Sequence, residues 1–371
     1  MTRHVYLHVP FCARRCSYCD FSIAVRREVP VDEYLRALEA EIATRFGNDA
    51  AAEVDTIYLG GGTPSRLGGA GVARAIALVQ RRFPLVPGGE LTIEANPEDI
   101  EPAALEAWTE AGVTRLSLGS QSFDDRVLAW MHRTHDADAI ERAVVASRAA
   151  GIRELSLDLI FALPAELERD FEADVRHLLA LAPEHVSLYG LTVEPTTPLG
   201  RWVSRGAAIE RPEEGYEREF LDAHELLTRG GLEHYEVSNY AAPGRRAKHN
   251  SAYWAGVPYV GLGPAAHGFD GRVRRWNEPA YAAWRDRALA GADPVAGTEP
   301  LTGDNRLAEA VYLELRSDRG LELWPGERDV VAPWEVAGWV NVADDGRLRC
   351  TPLGWLRLDS LAAALTHSRS R

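Results

Sequence analysis

The chain has 371 residues with 41 basic and 55 acidic side chains, a formal net charge of −14, and 46% apolar residues. That balance argues against non-specific nucleic-acid binding and against adhesion to anionic lipid, and it supplies a sizeable core without disulfide staples. The start, Met1-Thr-Arg-His-Val-Tyr-Leu-His-Val-Pro10, lacks an export h-region, and no apolar run approaches the ~20 residues that span a bilayer, so no membrane insertion is expected.

The length suggests about two domains. In chain order, β-rich runs at 5–9, 54–59, 90–94, 115–118, 155–161 and 186–189 alternate with stretches at 32–46, 71–82, 102–111, 137–150 and 170–181. The latter carry apolar residues at helical spacing. Strands separated by helices imply βαβ crossovers and a parallel sheet, here about six units of a partial TIM-like barrel over 1–230. A Pro/Thr/Gly-rich stretch follows at 194–200, then a strong helix near 213–229. Residues 231–300, rich in Gly, Pro and Trp, read as a connecting segment. Residues 301–371 read as a small, mainly helical domain with a helix at 304–316 and a hairpin-like wing at 346–358.

In a parallel barrel the reactive groups collect where strands end at their C-terminal edge. Each expected strand runs into something chemically marked. In order these are Cys12-Ala-Arg-Arg-Cys16-Ser-Tyr-Cys19, Gly60-Gly-Gly-Thr-Pro64, Glu94-Ala-Asn96-Pro97, Gly119-Ser-Gln121, Asp158 and Tyr189-Gly190. Six such endings on one rim define a single candidate site.

Three of the four cysteines fall within eight residues, which suits a reducing cytoplasm better than a secreted disulfide framework. Cys350 stands alone and reads as a small, buried or half-buried residue. The C-x3-C-x2-C spacing suits a cluster better than zinc. A structural zinc site wants four ligands, usually as two C-x2-C pairs, although completion by His4 or His8 stays open. Three thiolates on one loop can hold three irons of a [4Fe–4S] cluster and leave the fourth iron free for an amino acid's amino and carboxylate groups.

Gly61 and Gly62, lacking Cβ, let backbone approach a ligand closely, with a plain tight turn as the competing reading. Glu94 ends an apolar strand, where an unpaired carboxylate would be costly unless a ribose, an amino group or an arginine bonded it. Gln121, Arg133 and Asp158 fit the same argument more loosely.

The three-cysteine loop after a first barrel strand, with Tyr18 before the last cysteine, resembles the radical SAM superfamily, in which S-adenosylmethionine (SAM) binds the open iron. More narrowly, His8-Val-Pro-Phe-Cys12, Tyr18-Cys19-Asp-Phe21, Gly60-Gly-Gly-Thr-Pro64, Ser117-Leu-Gly-Ser-Gln121 and Tyr235-Glu-Val-Ser-Asn-Tyr240 together resemble the oxygen-independent coproporphyrinogen oxidase group over essentially the whole chain. Within that group the chain is most similar to the HemW-type heme chaperones. The resemblance implies SAM contacts from Tyr6, Tyr18, Gly61, Gly62, Thr63, Glu94, Gln121, Arg133 and Asp158, and cluster ligation by Cys12, Cys16 and Cys19.

Two features separate chaperone from oxidase within the resemblance. The oxidases carry another cysteine where this chain has Phe21, and His249-Asn250-Ser-Ala-Tyr253-Trp254 matches the HNxxYW pattern associated with heme. A neutral imidazole is a competent axial ligand for heme iron. Tyr253 and Trp254 offer aromatic surface, and Arg245, Arg246 and Lys248, the only lysine, could meet the propionates. The expectation is therefore a heme chaperone that carries a SAM-coordinated cluster and passes heme to an acceptor hemoprotein, respiratory or other, with a homodimer as one competent form. The alternative is an oxygen-independent coproporphyrinogen III dehydrogenase. No residue is assigned a catalytic role.

Overall fold

The computed structural model describes residues 2–47 and 51–370. Its first half is built from repeated strand–helix units. β1 (His4–Val9) leads through the short strands β2 (Phe11–Cys12) and β3 (Ala24–Val25) to α1 (Val31–Phe46), β4 (Val54–Gly61), α2 (Gly68–Arg82), β5 (Leu85–Ala95) and α3 (Pro102–Glu110). Then come β6 (Arg115–Gln121), α4 (Asp125–Trp130), α5 (Ala137–Ala149), β7 (Glu154–Phe161), α6 (Phe171–Ala180) and β8 (His185–Gly190). β1, β4, β5, β6, β7 and β8 lie side by side in that order, all parallel. Each crossover helix packs back on the sheet, which gives the expected partial TIM-like barrel.

The strand sequences alternate, and the alternation sorts the two faces of the sheet. Val5, Leu7, Val9, Ile57, Leu59, Leu91 and Ile93 are fully buried in the main apolar core, which the helices cover. Their neighbours His4, Tyr6 and His8, Thr56, Tyr58 and Gly60, and Glu90, Thr92 and Glu94 share the opposite, polar face. The registers Tyr6↔Tyr58 and Glu94↔Ser117 carry that polar face across the sheet. Aspartates at the N-caps of α5 and α6 accept backbone N–H bonds from Ala139 and Ala173, which sets where these helices begin.

The second half runs through α7 (Pro198–Ser204), α8 (Glu213–Arg229), β9 (Glu233–Glu236), β10 (Asn239–Ala241), α9 (Lys248–Trp254), β11 (Val260–Leu262), β12 (His267–Phe269), β13 (Val273–Asn277), α10 (Tyr281–Leu289) and β14 (Val295–Pro300). The stretch expected as a connector contributes to the main sheet. β10 pairs antiparallel with β8, β9 lies beyond it, and β11 pairs parallel with β1, giving nine strands. Buried Glu41 of α1 ties this stretch down, accepting bonds from Gly263 N, Asn277 Nδ2 and Trp284 Nε1 at 2.7–2.9 Å.

The chain ends in α11 (Gly303–Arg316), β15 (Leu321–Glu322), α12 (Arg328–Val336), β16 (Val340–Val342), β17 (Arg347–Cys350), α13 (Pro352–Trp355) and α14 (Leu358–Arg369). They pack around an apolar cluster of their own that includes Val311, Leu315, Val331, Leu348 and Leu365. The expected wing is displaced. The hairpin is formed by β16 and β17, because Pro352, capped by Thr351, starts a helix within the stretch read as hairpin. Cys350 is half-buried, and burial pushes its thiol up to about 12, so it stays protonated.

Candidate functional site

The rim cavity at the C-terminal edge of the sheet, about 500 Å³, gathers residues from β4, β5, β6, β7 and β8 and from the loop after β1, which supplies the cysteines. Cys12, Cys16 and Cys19 all line it. The loop is pinned by backbone bonds from Ser17 N to Met131 O at 3.0 Å and from Leu199 N to Ser17 O at 2.8 Å. Cys12 Sγ lies 3.4 Å from Thr63 Oγ1, and Arg133 Nη1 donates to Cys16 Sγ at 3.5 Å. Burial raises the Cys12 thiol and pushes Cys19 up to about 11. Among the described residues no group of three His, Cys, Asp or Glu side chains converges to hold a single metal ion. A cubane asks for something else, one thiolate at each of three separate irons.

The facing wall carries two half-buried carboxylates. Glu94 accepts from Tyr58 Oη at 2.7 Å and from Gly61 N at 3.1 Å; burial still raises it to about 7. Asp158 accepts from Ser117 Oγ at 3.1 Å, and burial raises it to about 6. Neither forms an ion pair with a described residue. A ligand with an ammonium group and ribose hydroxyls would supply the missing donors. Arg133 spans the gap between this wall and the cysteines, donating through Nη2 to Asn96 Oδ1 at 2.7 Å and to Gly119 O at 2.8 Å.

Of the nine residues expected around SAM, eight line this cavity: Tyr18, Gly61, Gly62, Thr63, Glu94, Gln121, Arg133 and Asp158. Tyr6 does not. It sits lower on the polar face, with its hydroxyl 3.2 Å from His8 Nδ1 and its ring stacked on Tyr58 at 6.1 Å. The glycines also meet a steric requirement of the fold itself. Gly61 has φ +113°, and a Cβ there would lie 2.6 Å from the His8 ring; one on Gly62 would lie 2.6 Å from Pro10 O. Gln121 holds a left-handed backbone, φ +69°, which aims its buried amide into the cavity.

Ser117, which opens the 117–121 motif, also lines the cavity, as do Glu98, His132 and Thr192, which carried no signal in the sequence. Burial pushes Glu98 up, but its bonds to His135 and Thr134 outweigh this and hold it down at about 2. Phe21, at the position that sets this chain apart from the oxidases, is 61% exposed at the cavity edge.

The HNxxYW segment lies at the other end of the sheet. α9 is anchored there by Glu90, which accepts from Lys248 N at 3.0 Å and His249 N at 2.9 Å and is ion-paired with buried Arg115. His249 is 1% exposed. Its Nδ1 lies 2.6 Å from Thr56 Oγ1 and its Nε2 lies 3.1 Å from Tyr253 Oη, and burial lowers its pKa to about 3. The expectation of His249 as an axial ligand does not match this geometry. Both ring nitrogens are engaged, and the ring lines neither the rim cavity nor the second cleft described by Tyr253 and Trp254. Asn250 is half-buried and lines neither.

Tyr253 and Trp254 face that second cleft, about 1260 Å³, formed with α11 and α14. The three expected propionate partners are elsewhere. Arg246 pairs with Glu233 and Asp318, Arg245 pairs with Glu154 at 3.3 Å, and Lys248 Nζ donates to Gly88 O at 3.0 Å.

Comparison with known proteins places this arrangement. Residues 6–178 match the radical SAM superfamily. The chain is 41% identical to the heme chaperone HemW of Mycobacterium tuberculosis over 97% of its own length and 94% of that protein's. It is 33% identical to HemW of Bacillus subtilis over 86% and 84%. The structure of coproporphyrinogen III oxidase HemN from Escherichia coli superposes with a TM-score of 0.83 over 98% of this chain and 89% of that one, at 23% identity. That last likeness is one of fold.

Proposed function

Since this chain belongs to the HemW family of radical SAM proteins, we propose that it binds heme and delivers it to an acceptor hemoprotein, while carrying a [4Fe–4S] cluster and SAM in the rim cavity. The observation that carries the reading is the relationship to HemW across nearly the full chain, α9 and the C-terminal elements included. Phe21 at the cavity edge, where the oxidases place a cysteine, supports chaperone over oxidase.

The rim cavity fits its cofactors by donor set. Cys12, Cys16 and Cys19 would hold three irons, and a bound cluster with SAM supplies reductive cleavage chemistry in this superfamily. The chain's own contribution is to bind and orient. Glu94 and Asp158, half-buried and without a cation among the described residues, would accept from the ribose and amino groups. Arg133 holds the cysteine loop against Asn96 and the Gly119 carbonyl, and Tyr58 keeps Glu94 in place. The clustered cysteines suit a reducing compartment, the cytoplasm. No described helix is long and apolar enough to cross a membrane.

Heme transfer tests the reading. Anaerobically reconstituted protein, loaded with heme and mixed with an apo-hemoprotein, should give up its heme, and coproporphyrinogen III with SAM and reductant should remain unconverted. Formation of protoporphyrinogen would establish the oxidase activity instead, and failure to bind or release heme would remove the chaperone function.

A further inference from the structure

The second cleft is built from parts far apart in sequence: the end of α9, the turn after it, β12, β13, α11 and α14. At about 1260 Å³ it exceeds the roughly 300–1,000 Å³ typical of pockets for small ligands. Its walls are aromatic and apolar, with Tyr253, Trp254, Tyr259, Phe269 and Leu313 among them. The aromatic wall is fixed in place: Tyr259 meets Tyr253 edge-on at 4.6 Å, and the Arg316 guanidinium covers Trp254 at 4.2 Å. Trp254 Nε1 is buried with no hydrogen-bond partner among the described residues. Opposite, Ala310 and Ala363 leave a low, exposed surface on the two helices.

Charge at the mouth has a definite sign. Of the lining carboxylates, Glu309 pairs with Arg274 and Glu314 with Arg347, each at 2.9 Å. Arg306 and Arg319 are exposed, line the cleft, and have no ion partner among the described residues. They stand against Asp359 alone. A large flat ligand with two carboxylates would lay its ring on the aromatic wall and its anions on these guanidinium groups.

We propose that this cleft is the tetrapyrrole site, with the macrocycle against Tyr253, Trp254 and Phe269 and its two propionates at Arg306 and Arg319. The assignment rests on the heme-chaperone reading and locates the heme. It also reassigns the HNxxYW segment: Tyr253 and Trp254 contact the ring, while His249 positions Tyr253 from behind. The cleft and the rim cavity share no lining residue, so heme and SAM bind independently.

The test uses the full chain with its cluster, titrated separately with heme, heme dimethyl ester and SAM. Arg306→Glu/Arg319→Glu alters only exposed side chains. It should weaken heme binding by about tenfold or more while leaving the uncharged ester as tight as in wild type. Ala310→Trp, an exposed helical position, should weaken heme and ester alike, and SAM affinity should be unchanged in both variants. If wild type binds heme and both variants bind it within about twofold, the cleft assignment fails and the chaperone reading stands. If wild type binds no heme, both fail.

Discussion

The Tyr58 hydroxyl is the donor to Glu94 Oε1 at 2.7 Å, and it is the closest bond Glu94 makes. The same Tyr58 ring stacks on His249 at 5.1 Å. One side chain therefore touches both a carboxylate of the rim cavity and the histidine that opens the HNxxYW segment. Tyr58→Phe keeps the stack and deletes the donor. SAM should bind about fivefold more weakly at neutral pH, as expected for one lost hydrogen bond to a carboxylate, with cluster content unchanged. Isothermal titration of the reconstituted variant measures it; equal affinity would detach Glu94 from the ligand.

Glu94 and Asp158 should each withdraw stability from the cofactor-free chain as pH rises, against the opposite trend of buried histidines such as His8 and His249, whose lowered pKa values favour folding as pH rises. Glu94 moves from 4.5 to about 7 on folding, so between those values the folded state keeps a proton that the unfolded state has lost. Asp158 moves from 3.8 to about 6 in the same sense. At these two groups the unfolded state then binds fewer protons, and their share of the unfolding free energy declines through this window and levels off above it. At ~1.4 kcal/mol per unit, Glu94 accounts for roughly 3 kcal/mol at most. Urea denaturation at pH 5 and pH 8 should show Glu94→Gln gaining stability relative to wild type as pH rises, by up to that amount. Equal slopes would mean that the Glu94 carboxyl does not titrate in this way.

Arg115 is a structural charge at the far end of the sheet. It is 2% exposed, and its partners are Glu90 and Glu154. Arg115→Met leaves Glu90 buried without its cation and should cost about 3–5 kcal/mol, whereas the double variant with Glu90→Gln should recover part of that. Thermal and urea unfolding decide it. Because Glu90 also accepts from the backbone of Lys248 and His249, protection of the α9 amides from hydrogen exchange should drop in both variants.

His249→Ala should lower stability by about 2–4 kcal/mol, from two lost hydrogen bonds and a buried void. The electronic spectrum of bound heme should stay as in wild type, since the ring is enclosed by Thr56, Tyr58 and Tyr253. A variant that folds normally and loses the wild-type axial-ligand signature would put His249 on the iron.

Much of this was legible in the sequence. Six β-rich runs separated by amphipathic stretches fixed the parallel sheet, and the marked residues after each run fixed the rim, because strand direction alone puts those endings on one edge. What was missed is tertiary. Tyr6 shares a strand face with His8, to which its hydroxyl bonds, and neither side chain lines the cavity. His249 looked available because nothing local shows that Thr56, nearly two hundred residues earlier, takes up Nδ1. The polar face had a signal in the alternation of Thr56-Ile57-Tyr58-Leu59 and of Thr92-Ile93-Glu94, which the reading used only to define strands. The second cleft was signalled only by Tyr253 and Trp254, since its other walls run on to Ser370 and meet only when α14 packs on α11.

The central claim is that three thiolates hold a cluster whose remaining iron is open to SAM. The most direct measurement is electron paramagnetic resonance of the anaerobically reconstituted, reduced protein before and after SAM is added. The account predicts a [4Fe–4S]⁺ signal that shifts when SAM binds and is absent from a Cys16→Ala variant. A wild-type protein that takes up no cluster from iron and sulfide, or a cluster signal that SAM leaves unchanged, would contradict it.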